Sequence, residues 1–273
     1  MTVTNIRNSI LHMVHYSKSS HVGTCLSMVE ILYTLYFRIL RIDPQDPGKP
    51  DRDKFILSKG HGSAALYATL AERGFYDKSV LDRYYVDDGI LPGHLDMTAV
   101  PGIDASAGSL GHGLSIAVGM AIANRQMKNP GRVYVILGDG ECNEGSVWEA
   151  VMLASSLKLS NLTAIIDYNK IQSFGRTNDI INQENMGERW KAFGWETHEI
   201  NGHDPDSIEA ACLAPQTRPK AIIADTVKGK GVSFMEDKLE WHYKSPNDSQ
   251  LMEALQELES HRTGNARKSG DRS

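Results

Sequence analysis

Apolar residues recur at helical spacing at the start of the chain, through Ile6, Ile10, Met13 and Val14, and the run from Leu26 to Leu40 is apolar on most faces, as in a buried helix. The pattern then breaks at Asp43-Pro44-Gln45-Asp46-Pro47-Gly48-Lys49-Pro50, where closely spaced prolines remove backbone donors and predict a loop. Beyond it, short strand-like runs predict strands at 54–58, 133–137, 162–167, 195–200 and 221–227. Helical patterns over 114–128, 146–157, 184–193 and 204–214 separate most of them, and Asp204 before Pro205 suits an N-cap. A short amphipathic helix is expected near 250–258. The stretch 261–273, apolar only at Ala266, is expected to be disordered.

Strand and helix alternate, and the strands lack the polar alternation of a half-exposed sheet. This predicts an α/β fold, a doubly wound, mostly parallel sheet with helices on both faces, whose ligands lie beyond the carboxyl ends of the strands. Residues 1–245 form the expected binding domain and 246–260 a C-terminal helical segment. No internal repeat is found.

Composition removes several function classes. The 29 basic and 34 acidic residues give a net charge of −5 with no basic stripe interleaved with aromatics, which argues against nucleic acid as a partner. No apolar run approaches the roughly 20 residues that span a bilayer, and the first residues carry no signal pattern, so a soluble, cytoplasmic protein without membrane contact is expected. Cys25, Cys142 and Cys212 are too scattered for a disulfide framework or a thiolate zinc site, and three reduced thiols are expected.

The most informative stretch is Gly138-Asp139-Gly140-Glu141-Cys142-Asn143-Glu144-Gly145, because it follows a strand and leads into a helix, where unpaired backbone donors attract phosphate. Asp139 faces an anion without repulsion only if a divalent cation lies between them. Neighbouring parallel strands are about 4.8 Å apart, so Asn169 and the carbonyl of Ile171, just after the next strand, can complete an octahedral magnesium site. Alone, a Gly-Asp-Gly turn is an ordinary turn; the acid after one strand and the amide after the next are informative together. Gly140-x-x-x-x-Gly145-Ser146 lacks the lysine of a nucleotide-binding P-loop. A second glycine cluster, 108–113, precedes a long helix and offers further donors. His21, His61, His94 and His242 all fall in loops beside glycine or aromatic residues, where imidazoles can move protons near neutral pH.

From about Ser20 to Pro246 the chain resembles the transketolase family, in one consistent order of motifs. They are Ser20-His21-Val22-Gly23, Leu57-Ser58-Lys59-Gly60-His61-Gly62-Ser63, Pro92-Gly93-His94, Gly108-Ser109-Leu110-Gly111, the Gly138 to Gly145 stretch, Asp167-Tyr168-Asn169-Lys170-Ile171, Asn201-Gly202-His203-Asp204 and Lys228-Gly229-Lys230-Gly231-Val232. The related alpha subunits of 2-oxo acid dehydrogenases share the Gly-Asp-Gly to Asn motif but not the histidines. The resemblance implies a thiamine diphosphate-binding fold in which Asp139, Asn169 and the Ile171 carbonyl bind magnesium, or calcium or manganese in its place.

It further implies that His61, Gly108, Ser109, Gly140, Asn169 and His242 contact the cofactor or its metal, while Leu110 packs against the thiazolium. His21, His94 and His242 would face the sugar, His21 and His242 as proton movers. Glu144 resembles the glutamate that links two active sites across the subunit interface. The implied reaction is transfer of a two-carbon ketol unit between sugar phosphates. Full-length members are more than twice as long, and the half not represented here carries the glutamate that activates the aminopyrimidine. The resemblance therefore implies the N-terminal subunit of a split transketolase, paired with a C-terminal subunit that carries the pyrimidine-binding domain, two copies of each. Two positions depart from the family pattern: His112, where glutamine is common, and Ser173, where an aliphatic residue is usual. The other readings are a split 1-deoxyxylulose-5-phosphate synthase, a 2-oxo acid dehydrogenase subunit, or a non-catalytic cofactor-binding subunit.

Overall fold

The computed structural model describes residues 2–270. In chain order the helices are α1 (Thr2–Ser17), α2 (Val22–Ser27), α3 (Val29–Thr34), α4 (Ser63–Arg73), α5 (Gly113–Gln126), α6 (Gly145–Ser156), α7 (Thr177–Ile180), α8 (Met186–Ala192), α9 (Pro205–Leu213) and α10 (Asp248–Gly270). The strands are β1 (Lys54–Leu57), β2 (Val133–Gly138), β3 (Leu162–Tyr168), β4 (Ile171–Gln172), β5 (Gly175–Arg176), β6 (Glu196–Asn201) and β7 (Lys220–Asp225).

Five strands form one parallel sheet in the order β1-β2-β3-β7-β6, and β4 and β5 pair as a small antiparallel hairpin. Successive side chains of a strand point to opposite faces, and both faces of β1, β2, β3 and β7 are apolar, whereas the edge strand β6 is polar and partly exposed. Phe55, Tyr134, Ile136, Ile165 and Ile222 pack with α1, α3, α4 and α9 on one side. Ile56, Val135, Leu137, Ala164, Ile166 and Ile223 pack with α5, α6 and α8 on the other. This is the doubly covered parallel sheet that the continuous apolar runs predict. At about 25 cal/mol for each Å² of apolar surface removed from water, such two-sided burial is the main force holding the layers together.

The five strands appear within a residue or two of their predicted bounds, and Asp204 caps α9 by accepting from the amide of Asp206 at 3.2 Å. The opening apolar run is less regular than one helix. It breaks at Met28 between α2 and α3 and ends in a π turn over Leu35–Ile39. Helix α4 has no counterpart among the elements the hydrophobic pattern predicts: Ser63 to Ala71 are all buried, so it has no polar face to mark its period. Helix α10 continues past 258 to Gly270, into a stretch expected to be disordered; 261–269 has no proline to stop it. Residues 271–273 lie outside the described residues. The three cysteines are buried and free. Among the described residues no helix is long and apolar enough to cross a membrane.

Candidate active site

Four strands deliver functional residues directly at their carboxyl ends. Strand β1 runs into Ser58, Lys59 and His61, β2 into Asp139 and Gly140, β3 into Asn169 and Ile171, and β7 into Thr226 and Lys228. Their side chains and the loops above them enclose a cavity of about 270 Å³, lined among others by His21, His61, His94, Asp139, Lys228 and His242. Gly108, Leu110, Gly140, Asn169 and Ile171 also face it, as does Ser173. Thus most of the predicted residues converge. Ser109 and Glu144 do not line the cavity; both are exposed beside it. His112 is exposed as well, its Nδ1 2.9 Å from the Leu110 carbonyl.

The imidazoles form a cluster. The His21 ring lies 5.1 Å from His61, 5.1 Å from His242 and 6.3 Å from His94, centroid to centroid. His21 starts α2 in the left-handed conformation, φ 76°, and its amide donates to the His242 carbonyl at 2.8 Å. Histidine is one of the few residues found there with any frequency. Burial, then the neighbouring His94, Lys228 and Lys59, push the His21 pKa down to about 4. Burial, then Lys228, His21 and Lys59, push His242 down to about 3. His61 is likewise held well below the usual range, by burial first and Lys59 second. These rings are neutral at pH 7, so each can take or hand over one proton.

Beneath the histidines lies an oxygen-lined floor. The Asp139 carboxylate, 2% exposed, accepts from the amides of Gly140 at 2.8 Å and Lys170 at 2.7 Å and from the Thr177 hydroxyl at 3.1 Å. Burial, then Asp167, pushes its pKa up. The Asn169 Oδ1 accepts from the Ile171 amide at 3.2 Å. A carboxylate, an amide oxygen and a main-chain carbonyl are hard donors that suit magnesium better than zinc. One member of this donor set already faces a cation: the Lys228 Nζ lies 2.9 Å from the Ile171 carbonyl oxygen. Among the described residues no three His, Cys, Asp or Glu side chains converge as metal ligands.

Four charged residues to which the sequence motifs assign no role organise this floor. Lys59, 1% exposed, is paired with Asp167, which is fully buried and also accepts from Ser27 at 2.6 Å, Asn169 at 3.1 Å and Thr226. Burial opposes the Asp167 charge, but Lys59 and the hydroxyls outweigh it and hold its pKa below the usual range. Glu141, also buried, accepts from Ser58 and from the amides of Gly111 at 2.8 Å and Gly138 at 3.1 Å, tying the 108–113 loop to the end of β2. Lys228, 1% exposed, has only neutral hydrogen-bond partners, the Ile171 carbonyl and the His242 Nδ1 at 2.8 Å. Its donation places the His242 proton on Nε2. Burial, then Lys59, lowers the Lys228 pKa to about 8, which still leaves it mostly charged at neutral pH. Asp139 and Asp167 act on this buried ammonium through space but do not bond it, which leaves its charge available to an anion in the cavity.

A parallel sheet with an acid-bearing glycine turn, an amide after the adjacent strand and a cavity at the strand ends that holds two buried lysines suits a protein of the class that binds a diphosphate-containing cofactor. Residues 1–261 match the family described as transketolase, thiamine diphosphate binding domain. The chain is 44% identical over 257 residues to the 6-deoxy-6-sulfo-D-fructose transketolase subunit SqwG of Clostridium sp. (strain MSTE9), covering 93% of this chain and 94% of that one. It is 45% identical over 242 residues to an apulose-4-phosphate transketolase subunit of Actinobacillus succinogenes, covering 87% of each. Transketolase from Leishmania mexicana superposes with a TM-score of 0.88 at 30% identity, over 94% of this chain and 40% of that structure. The chain therefore belongs to the transketolase family, through its thiamine diphosphate-binding domain. It spans about two fifths of the length of such full-length transketolases.

Proposed function

We propose that this chain is the diphosphate-binding subunit of a two-chain transketolase, using thiamine diphosphate and magnesium to transfer a two-carbon ketol unit from a ketose phosphate to an aldose phosphate. The observation that carries this reading is the juxtaposition, in one cavity, of four loop imidazoles with the Asp139, Asn169 and Ile171 oxygens. Asp139, Asn169 and the Ile171 carbonyl would hold the metal, and the Lys228 ammonium would supply positive charge to the diphosphate. His61, Gly108, Ser109 and Gly140 contact the cofactor, and Leu110 packs against its ring. When bound, thiamine diphosphate supplies the electron sink for cleavage of the bond beside a ketose carbonyl.

Neutral His21 and His242 then move protons to and from the sugar oxygens, and His94, exposed at the mouth, orients the hydroxyls. Neutral bases suit this task because a charged carboxylate beside the developing carbanion would oppose it. The names of the relatives, which are subunits of about this length, support a partner chain that completes the site. The exposure of Glu144 supports a role for it at such an interface. Two copies of each chain are the assembly proposed.

The test is ketol transfer from xylulose 5-phosphate to ribose 5-phosphate with magnesium and thiamine diphosphate, using the chain alone and with its partner. Sulfosugar and branched-sugar phosphates, suggested by the relatives, serve as further substrates. Turnover only in the mixture, lost in His21→Ala and Asp139→Ala, supports the reading. Cofactor binding without turnover on any of them shifts the substrate class. No cofactor binding with the partner present ends it.

A further inference from the structure

Behind the cavity wall, on the far side of the 227–230 turn, three charged or polar side chains from distant segments meet. Glu30 on α3 accepts from the Arg7 guanidinium of α1 at 2.6 Å and lies 3.1 Å from the Nδ1 of His203. Their side chains are only 7% (Arg7), 11% (Glu30) and 12% (His203) exposed. Each partner of Glu30 then grips the main chain of the same turn. The Val227 amide donates to the His203 Nε2 at 2.8 Å, and the Arg7 Nε donates to the Lys230 carbonyl at 3.0 Å. Because Nε2 accepts, the imidazole proton sits on Nδ1 and points at Glu30. One carboxylate thus orients two anchors that hold the turn on either side of Lys228.

Arg7, Glu30 and His203 lie outside the cavity lining. Burial disfavours the Glu30 charge, yet Arg7 and His203 hold its pKa below the usual range, so the carboxylate stays charged. Because both partners of Glu30 satisfy main-chain groups of the turn that carries Lys228, the ion pair is coupled to where that turn sits. The close fit extends to Gly231, where an added Cβ would come 2.7 Å from the Arg7 Nε.

We propose that Glu30, acting through Arg7 and His203, is a positioning residue that fixes the Lys228 ammonium at the diphosphate end of the cavity. The inference rests on the reading of this cavity as the cofactor site. Glu30 acts as outer-shell groups do at metal sites, where removing one commonly weakens binding about tenfold or more.

The experiment is a double-mutant cycle on the binding of thiamine diphosphate with magnesium, read by calorimetry on this chain assembled with its partner subunit. Glu30→Gln is expected to weaken binding about tenfold in the wild-type background and less than about twofold in Lys228→Met. An equal loss in both backgrounds makes Glu30 merely structural and overturns the inference, as does an unchanged affinity in Glu30→Gln. Should Lys228→Met bind as tightly as wild type, the lysine has no role to position; the inference fails while the cofactor site stands. If wild type itself does not bind the cofactor, both fail. Where Glu30→Gln does not fold, His203→Gln, which keeps an acceptor for Val227, is read in the same cycle with the same expectation.

Discussion

The amide of His21 donates to the carbonyl of His242 at 2.8 Å, and the two rings stand 5.1 Å apart. A hydrogen bond between main chains so distant in sequence fixes where both imidazoles enter the cavity. The left-handed backbone of His21 is the local cost of that placement.

Neutrality of these rings has a pH signature. An unfolded histidine titrates near 6.5, whereas His21 in the folded chain is held near 4. Between those values the unfolded state binds more protons, so stability falls as pH drops from about 6.5 to about 4 and levels off below. His21→Asn, which tolerates the left-handed backbone and does not titrate, is expected to flatten that slope in denaturant midpoints measured across the window. An identical slope in both proteins would assign the effect elsewhere.

Asp139 is held by donors on both oxygens. In Asp139→Asn one of those oxygens becomes an NH₂ facing the Lys170 amide or the Gly140 amide, and a buried donor pair left unsatisfied costs about 1–3 kcal/mol. Loss of magnesium-dependent thiamine diphosphate binding together with a lower melting temperature is the expected result. Retained binding by calorimetry would remove Asp139 from the metal set.

Gly113 starts α5 against β1. A Cβ there would lie 2.4 Å from the Ser58 hydroxyl and 2.7 Å from the Ser58 Cα, so Gly113→Ala must displace the strand end or the loop that Glu141 ties down. The expected cost is about 1–3 kcal/mol in chemical denaturation, accompanied by weaker cofactor binding. Gly119, with open space around its Cβ, is the control: Gly119→Ala should leave binding unchanged.

Lys59→Met leaves the Asp167 carboxylate buried without its counter-charge. Removing one partner of a buried ion pair costs about 3–5 kcal/mol. Denaturant unfolding should show that loss, and the double variant Lys59→Met with Asp167→Asn should recover part of it. A loss below about 1 kcal/mol would mean that the three remaining hydrogen bonds satisfy Asp167 by themselves.

Much of this architecture was legible in the chain itself, for physical reasons that differ by element. Strands such as β2 and β3 announce themselves because both of their faces are covered, leaving unbroken apolar runs between turns. By the same logic α4 is silent, since a helix buried all round shows no period. The histidines and the Asp139, Asn169, Ile171 set stand out because they follow strands directly and sit beside glycines. Lys59, Lys228 and Asp167 do not, because a lysine or aspartate in a sequence is by default a solvated surface group. Only the three-dimensional pairing of Lys59 with Asp167, and of Lys228 with a carbonyl and an imidazole, reveals that these charges are interior. Glu30 is hidden for another reason: its partners Arg7 and His203 come from segments nearly two hundred residues apart.

The His21 to His242 bond also has a consequence for how the protein is made. Synthesis runs from the amino end, so α2 leaves the ribosome long before the segment that holds its first residue in place. Until the chain has been extended to residue 242 the start of that helix lacks its anchor, and until residue 228 the lysine that faces the Ile171 carbonyl is missing as well. The growing chain can assemble its β1 to β2 layer and supply β3 early, but it acquires a complete pocket only once residue 242 has been added.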